Sequence, residues 1–326
     1  MSSRALSGAL GIDTSNYTTS AAAYAPELPL PVSAGRLLEV GDGGCGLRQS
    51  DAVFAHVKNL PEIVAEAMRR FDGEIAAVGV SARPRDAEGS YMPCFLTGVA
   101  AASAAASALR VPLYEFSHQA NHVAAAAFAA GRPELLRQPF LAWHLSGGTS
   151  ELLLVRPDGE KIIRCERVGG TSDLAAGQAI DRAGVMLGLR FPCGRALDAL
   201  SLRAETPPAP ARLSVKGLEM SLSGLENKAR ALAEAQETPE RIARFVLETV
   251  LLSVARVTEG ALRQYGALPI LCAGGVMCNT LIRARMEKQF SAHFADAAFS
   301  ADNAAGCAVL AYLKNERARG RTGDGD

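Results

Sequence analysis

The sequence has few aromatic residues and no net charge. Aromatic side chains make up 6% of the 326 residues, and only one of them is tryptophan. Glycine is abundant, with 31 residues, so close packing of helices on sheets is favoured over a β-sandwich. Lysine plus arginine and aspartate plus glutamate both number 34. The chain as a whole therefore does not attract a phosphate backbone, and any contact with nucleic acid has to be a local patch.

Paired cysteines and long apolar runs are also missing. The seven cysteines are scattered and form no CxxC pair, which speaks against both a disulfide framework and a zinc knuckle. The apolar run after Arg4 is too short to cross a bilayer, and no cleavage signal follows it. We therefore expect a cytoplasmic protein with reduced, mostly buried thiols and no membrane partner.

Two segments share the same order of an apolar run, a short polar turn and a second apolar run. The first covers 5–24 with its turn at 13–19, and the second covers 140–155 with its turn at 146–150. This order predicts two strand–turn–strand hairpins and indicates a duplicated architecture.

Helical and strand-like segments alternate through the rest of the chain. The predicted elements in the first half are a helix at 52–71, a strand at 75–80, a helix at 97–109 and a strand at 111–116. Those in the second half are a helix at 171–187, a long helix at 239–265 and a buried strand at 269–273. Such alternation predicts an α/β protein with a mostly parallel sheet.

An HxxxH pair lies where a predicted strand passes into an Ala-rich helix. Ser117 is placed to cap this helix, and His118 and His122 fall at positions i and i+4 on one face. Two imidazoles at this spacing can bind one metal ion, which then needs a further ligand such as a carboxylate. They can also be two polar residues at a helix start, and the pair alone leaves both readings open.

Two glycine turns are candidates for contact with a nucleotide. The Ser146-Gly147-Gly148 turn lies between two predicted strands, and Gly274-Gly275 follows a buried strand. The missing Cβ atoms allow a ligand to approach the backbone amides closely. Each turn is equally compatible with a purely structural role.

In their order along the chain, these motifs resemble the TsaD/Gcp family, formerly classed as M22 peptidases. The resemblance runs from about Gly11 to about Leu313. It implies a two-lobed actin/Hsp70-like ATPase fold, with duplicated strand-hairpin and βα units. We expect one lobe at 5–137, a second with helical additions at 138–319, and a disordered tail at 320–326.

The resemblance also implies roles for individual residues. Asp13, in the Gly11–Ser15 turn, is expected to be catalytic, and the expected metal ligands are His118, His122 and Asp302. The residues expected to bind substrate or nucleotide lie in the motifs HLSGG, AGQAID, FPCG with the aspartate after it, and AGGVMCN; they are His144, Leu145, Ser146, Gly147, Gly148, Asp181, Gly194, Asp198 and Asn279.

Members of this family transfer a threonylcarbamoyl group to N6 of adenosine in tRNA. The resemblance therefore implies threonylcarbamoyl-AMP as donor substrate, with AMP or ATP as other adenine nucleotides, and one divalent ion, iron or zinc. The implied partners are an adenine nucleotide, tRNA and a TsaB-like subunit. Two alternatives stay open: a paralogous carbamoyltransferase or ATP-binding enzyme with another acceptor, and a non-catalytic TsaB-like assembly subunit.

The sequence departs from the family pattern near these motifs. Thr149 stands where the family has a histidine, Gln178 replaces a glutamate, and Tyr17-Thr18 replaces an acidic pair. The family's GPG loop is replaced by the segment 82–93, whose Arg83, Arg85 and Tyr91 can bind an anion or a base, or be solvated. These changes remove ionisable groups from the predicted site.

Overall fold

The computed structural model of this chain describes residues 6–15, 17–39, 47–206, 209, 212–296 and 303–320. The chain divides into two compact units. Unit 1 comprises 1–138, 156–165 and 301–326, and unit 2 comprises 139–155 and 166–300.

The described residues form strands, α-helices and two short 3-10 helices. The strands are β1 Leu6–Asp13, β2 Thr18–Tyr24, β3 Val32–Leu37, β4 Gly73–Arg83, β5 Leu113–Ser117, β6 Phe140–Leu145, β7 Ser150–Asp158, β8 Ile162–Thr171, β9 Val215–Lys216, β10 Glu219–Met220, β11 Ile270–Ala273 and β12 His293–Phe294. The α-helices are α1 Gln49–Arg69, α2 Phe95–Leu109, α3 His118–Ala129, α4 Ala176–Met186, α5 Gly194–Ser201, α6 Leu225–Glu234, α7 Pro239–Tyr265, α8 Thr280–Phe290 and α9 Ala305–Ala318. The 3-10 helices are Pro133–Arg137 and Gly275–Cys278.

Unit 1 contains a five-stranded sheet in the order β3-β2-β1-β4-β5. Strands β1, β4 and β5 pair in parallel, whereas β1–β2 and β2–β3 pair antiparallel. The predicted first hairpin is confirmed. The sheet is mixed rather than mostly parallel, because the tight turn after Asp13 reverses the chain and β3 then adds to the reversed strand.

Helix α9 packs directly on the sheet of unit 1. Gly11 in β1 and Gly79 in β4 lie against its backbone, where a Cβ atom would meet atoms of residues 304–311. Although 138–319 was expected to form the second lobe, α9 contacts β1, β2 and β4. The glycines explain this placement, since they leave the room that a helix needs to approach two neighbouring strands closely.

The second sheet has seven strands in the order β12-β11-β6-β7-β8-β10-β9. Most of its residues belong to unit 2, but residues 156–165, which include the end of β7 and the start of β8, belong to unit 1. The β6–β7 hairpin is antiparallel, as predicted, and β11 runs parallel to β6. Helix α7 has the predicted bounds. Thr238 caps it by accepting a hydrogen bond from the Arg241 N–H, and Pro239 occupies its first turn.

The core of unit 2 lies between its sheet and α7. Trp143 of β6 is fully buried and donates its Nε1–H to Thr258 Oγ1 of α7 at 2.9 Å. The buried indole thus has its one hydrogen bond satisfied, as such side chains require.

Several predicted element bounds differ from the structure. The predicted helix at 171–187 begins only at Ala176, because β8 extends to Thr171.

Of the six cysteines described as free, five are buried and Cys278 is exposed. Among the described residues, the helices are too short or too polar to span a membrane.

Candidate active site

Asp13 and His118 meet at the carboxyl edge of the unit 1 sheet. Asp13 ends β1, His118 begins α3, and the His118 Nδ1 atom lies 2.8 Å from Asp13 Oδ2. The carboxylate accepts from Nδ1–H, so the second ring nitrogen, Nε2, is left with a lone pair. Asp13 is fully buried, whereas the His118 side chain is 19% exposed. The carboxylate therefore fixes the tautomer and orientation of a partly accessible imidazole.

The Asp13 carboxylate is held by several donors. Oδ1 accepts from the Ser15 backbone N–H at 2.8 Å, and Oδ2 also accepts from Asn121 Nδ2 at 3.1 Å. Burial alone would raise the pKa of Asp13, but the electrostatic interaction with His118 and hydrogen bonds from His118, Ser15 and Ser81 hold this pKa well below its usual range. Asp13 is therefore an ionised acceptor at neutral pH.

The two imidazoles of α3 converge. His122 Nε2 lies 2.9 Å from His118 Nε2, and the ring centroids are 4.2 Å apart. Two nitrogens bound to one ion at about 2.1 Å and a right angle would lie about 3 Å apart, so the pair fits a shared metal. Asp302 lies outside the described residues, and within those residues no group of three suitable side chains surrounds an ion site.

A buried amide joins α3 to the segment before α9. Asn121 Nδ2 donates to the Asn303 carbonyl at 2.6 Å, and Asn121 Oδ1 accepts from the Cys307 N–H at 2.8 Å. Asn121 also contacts Asp13. One side chain thus ties the end of β1, the imidazole helix and the residue next to Asp302 together.

The segment 82–93 supports the start of α3. Ser117 caps the helix by accepting from the Ala120 N–H at 3.1 Å, and its hydroxyl donates to Asp86 Oδ2 at 3.1 Å. The Asp86 side chain is 2% exposed and is also paired with Arg83 at 3.3 Å and Lys161 at 3.1 Å. Arg83 is therefore paired within the loop, whereas Tyr91 is 62% exposed.

Three backbone turns converge beside β6 in unit 2. The Ser146 N–H donates to the Thr149 carbonyl at 2.8 Å, which closes the turn after β6. A Cβ atom on Gly177 of α4 would meet this turn at Ser146, and one on Gly274 would meet the Leu145 carbonyl. Gly274 has a φ of 96°, a conformation that favours glycine. These contacts bring the start of α4 and the turn after β11 to the same end of β6.

The backbone around these turns is accessible. A Cβ atom on Gly147, Gly148 or Gly275 would meet nothing within 4 Å. Helix α4 starts beside this surface, and its Ala176 N–H donates to Ser150 Oγ at 2.8 Å. Exposed amides next to a helix N-terminus suit an anionic group such as a phosphate.

Other predicted nucleotide residues hold local structure. Asp181 Oδ1 accepts from the Cys193 N–H at 2.7 Å, which fixes the turn before Gly194. Asp198 Oδ2 accepts from the backbone and hydroxyl of Thr280, and Asn279 caps α8. His144 is half-buried in β6 and Leu145 is buried.

A comparison with protein-family models identifies the family. The model described as TsaD, tRNA N6-adenosine threonylcarbamoyltransferase, matches residues 44–309. The chain belongs to the TsaD family. It is therefore a member of a family of transferase enzymes, and the resemblance of its motifs is confirmed.

Curated relatives carry the same name. A Thermus thermophilus protein named tRNA N6-adenosine threonylcarbamoyltransferase is 33% identical over 273 residues, which cover 80% of this chain and 79% of the relative. An Enterococcus faecalis protein of that name is 31% identical over 281 residues, covering 80% of this chain and 77% of the relative. The TsaD-type chain is thus matched along most of its length.

Solved structures that resemble this TsaD-family chain confirm the actin/Hsp70-like ATPase fold. Full-length HypF in its phosphate- and nucleotide-bound form matches with a TM-score of 0.59 at 12% identity, covering 96% of this chain and 56% of HypF. Component A of the Acidaminococcus fermentans (R)-2-hydroxyglutaryl-CoA dehydratase matches with a TM-score of 0.53 at 14% identity, covering 94% of this chain and 98% of component A. At these identities the likeness shows the fold alone.

Two residues of the candidate site were missed by the sequence analysis. Asn121 stands between the two histidines, and its amide on an otherwise Ala-rich helix face is the signal that could have revealed it. Asp86 lies in the segment where the chain departs from the family pattern, and no local pattern marks it as buried.

Proposed function

We propose that this chain transfers the threonylcarbamoyl group of threonylcarbamoyl-AMP to N6 of adenosine in tRNA, with one divalent metal ion bound to unit 1. The observation that carries the proposal is the convergence of His118 Nε2 and His122 Nε2 at 2.9 Å, with Asp13 bonded to the far side of the first ring. A pair of imidazoles oriented by a buried carboxylate is the usual arrangement of histidine metal ligands.

His118, His122 and Asp302 would hold the ion, and this donor set suits iron or zinc. A bound ion supplies Lewis acidity toward an acyl or phosphoryl oxygen. Asp13 is buried behind His118 and does not reach solvent. We therefore assign Asp13 a positioning role: it keeps the proton on Nδ1 and leaves Nε2 as the donor atom.

The nucleotide would be bound by unit 2. The accessible amides of Gly147, Gly148 and Gly275 suit a phosphate, and the N-terminus of α4 adds favourable electrostatics. The other residues that would contact the substrate or nucleotide are Asp181, Asn279, His144, Leu145, Ser146, Gly194 and Asp198. The hydrogen bonds of Asp181 and Asn279 to neighbouring backbone N–H groups support this role by fixing the turns that would face the ligand.

The reaction needs no side-chain nucleophile. The adenosine N6 amine attacks the carbamoyl carbon of the mixed anhydride, the bond from that carbon to the phosphate oxygen breaks, and AMP leaves with the bonding electrons while the amine loses a proton. What the protein contributes is the orientation of donor and acceptor.

The experiment compares the purified chain with His118→Ala/His122→Ala. Each is incubated with threonylcarbamoyl-AMP and unmodified tRNA, with and without a TsaB-like subunit, and both modified adenosine and bound metal are measured. We expect the wild type to carry about one ion per chain and to form product, and the double variant to lose both. His293→Ala is the matched control, since His293 lies on β12 of unit 2.

The outcomes separate the alternatives. Nucleotide binding without a tRNA product would favour an enzyme with another acceptor, and the absence of both metal and product would favour an assembly subunit. Full metal content in the double variant would overturn the metal assignment on its own.

A further inference from the structure

A polar cavity in unit 2 lies outside every residue assigned above. It has a volume of about 220 Å³ and lies where the segment 212–228 faces α7. Its lining includes Arg212, Ser214, Ser223, Gly224, Lys228 and Ser253. None of these residues belongs to the predicted metal or nucleotide groups, so the cavity needs its own explanation.

Two cations share this cavity. The two cations are Arg212 and Lys228. Lys228 Nζ donates a hydrogen bond to the backbone carbonyl oxygen of Arg212 at 3.5 Å. Neither side chain forms a salt bridge with a carboxylate among the residues that the structure describes. Two cationic side chains that line one cavity without forming a salt bridge favour an anionic ligand there.

Hydroxyl and amide donors surround the same space. The hydroxyl of Ser214 makes no hydrogen bond within the described part of the chain, whereas the side chain and the backbone N–H of Ser223 both hydrogen-bond Asp173. Helix α6 starts at the cavity with Gly224 as its N-cap, and no described side chain caps it. The first amides of the helix and its dipole therefore favour negative charge at this point.

The nearby acids are already engaged. Asp173 accepts hydrogen bonds from Ser221 Oγ at 2.6 Å and from the Leu222 N–H at 2.9 Å, and it does not line the cavity. Glu226 pairs with Arg182 and with Arg230. Among the described residues, neither carboxylate forms a salt bridge with Arg212 or Lys228.

We propose that this cavity binds a phosphoryl group. A guanidinium, an ammonium, the Ser214 hydroxyl and the start of a helix offer more donors than the two oxygens of a carboxylate accept, whereas the oxygens of a phosphate match them. The volume leaves room for the phosphate with water or with its ester group. The group can come from free phosphate or from the backbone of an RNA strand, and the chemistry of recognition is the same.

The test uses the full chain with AMP in excess, so that the nucleotide turns are occupied. Inorganic phosphate binding is measured by calorimetry, and binding of a fluorescent single-stranded RNA by anisotropy at fixed salt. Arg212→Ala/Lys228→Met is expected to weaken the binding of at least one probe tenfold or more. The probe affected identifies the source: free phosphate, or the RNA backbone if only the oligonucleotide is affected.

Arg230→Ala is the matched control, because it removes a positive charge from α6 on a side chain paired with Glu226. It is expected to change neither affinity by more than twofold. Ser214→Ala tests the cavity without removing charge and should give a loss of about threefold, with unfolding midpoints checking the fold of each variant. Unchanged affinity for both probes in the double variant and in Ser214→Ala would overturn the proposal, and this result is independent of whether threonylcarbamoyl transfer occurs.

Discussion

His56 is a buried histidine with an incomplete hydrogen-bond set. Its Nδ1 lies 2.8 Å from Thr19 Oγ1, and its Nε2 is buried without a partner among the described residues. Burial lowers the pKa of His56 to about 4, although the charge of Asp13 acts in the opposite direction. An isolated histidine in a helical segment gives no sign of such burial in the sequence.

His56 makes the stability of the protein dependent on pH. The folded-state pKa of about 4 lies below the unfolded value of about 6.5, so the unfolded chain binds the proton more tightly. Its stabilisation is fully present above pH 6.5 and is lost as the pH falls through 4. Between pH 7 and pH 4.5 we expect the free energy of unfolding to fall by about 2 to 3 kcal/mol from this group.

Urea unfolding at the two pH values checks this, with His56→Gln as the variant that cannot titrate. The variant should be less stable at pH 7 but should lose less stability on acidification. Asp13 does not contribute to the difference between pH 7 and pH 4.5. Its pKa in the folded protein lies below the unfolded value of about 4, so the stabilisation by its ionised form is lost only below that pH. An equal pH dependence in both proteins would show that His56 is not the titrating group.

At the scale of elements, the first turn of α3 is held by the loop 82–93. Nothing in the sequence of α3 itself indicates this contact. Asp86 bonds Ser117, the N-cap of α3, and the Pro84 carbonyl accepts from the Gln119 N–H at 3.0 Å. The loop therefore orients the helix turn that carries His118. Two cations and a hydroxyl offset the cost of burying the Asp86 carboxylate, and its loss would leave those partners without their acceptor.

We therefore expect Asp86→Asn to destabilise the protein by about 1 to 3 kcal/mol, since Arg83 and Lys161 lose their counter-charge. Glu88→Gln removes the same charge from an exposed position of the same loop and should cost under about 0.5 kcal/mol. Denaturant unfolding of both variants at pH 7 measures the difference. Similar losses in the two variants would mean that Asp86 does not anchor α3.

The elements predicted correctly are those whose signal is local. The two hairpins carry alternating apolar runs with polar turns, and α7 carries a proline and a capping threonine at its start. Strand β3 was missed because it ends in three exposed residues and is stabilised by pairing with β2, which no local pattern reports. Helix α9 was not predicted as an element because its periodicity is weak, with nearly all of its first half buried.

At the scale of the whole molecule, the site could be predicted only in part. The i, i+4 spacing of His118 and His122 is visible in the sequence, but the hydrogen bond of His118 to Asp13 joins residues 105 positions apart and that of Asn121 to Asn303 joins residues 182 apart. Such contacts depend on the fold, and periodicity cannot reveal them. The ordered set of family motifs predicted the fold because it samples the chain from end to end.

The balance of charge over the whole chain predicts the salt dependence of the proposed tRNA binding. With 34 basic and 34 acidic residues, the protein lacks the excess positive charge that draws nucleic acid into an extended contact. Only a few phosphates should be neutralised, so a plot of log affinity against log salt concentration should have a slope between about −2 and −4. Anisotropy titrations of labelled tRNA between about 50 and 200 mM salt, at fixed pH and with AMP present, measure this slope. A slope steeper than about −6 would show that the chain presents an extended basic surface, which its composition argues against.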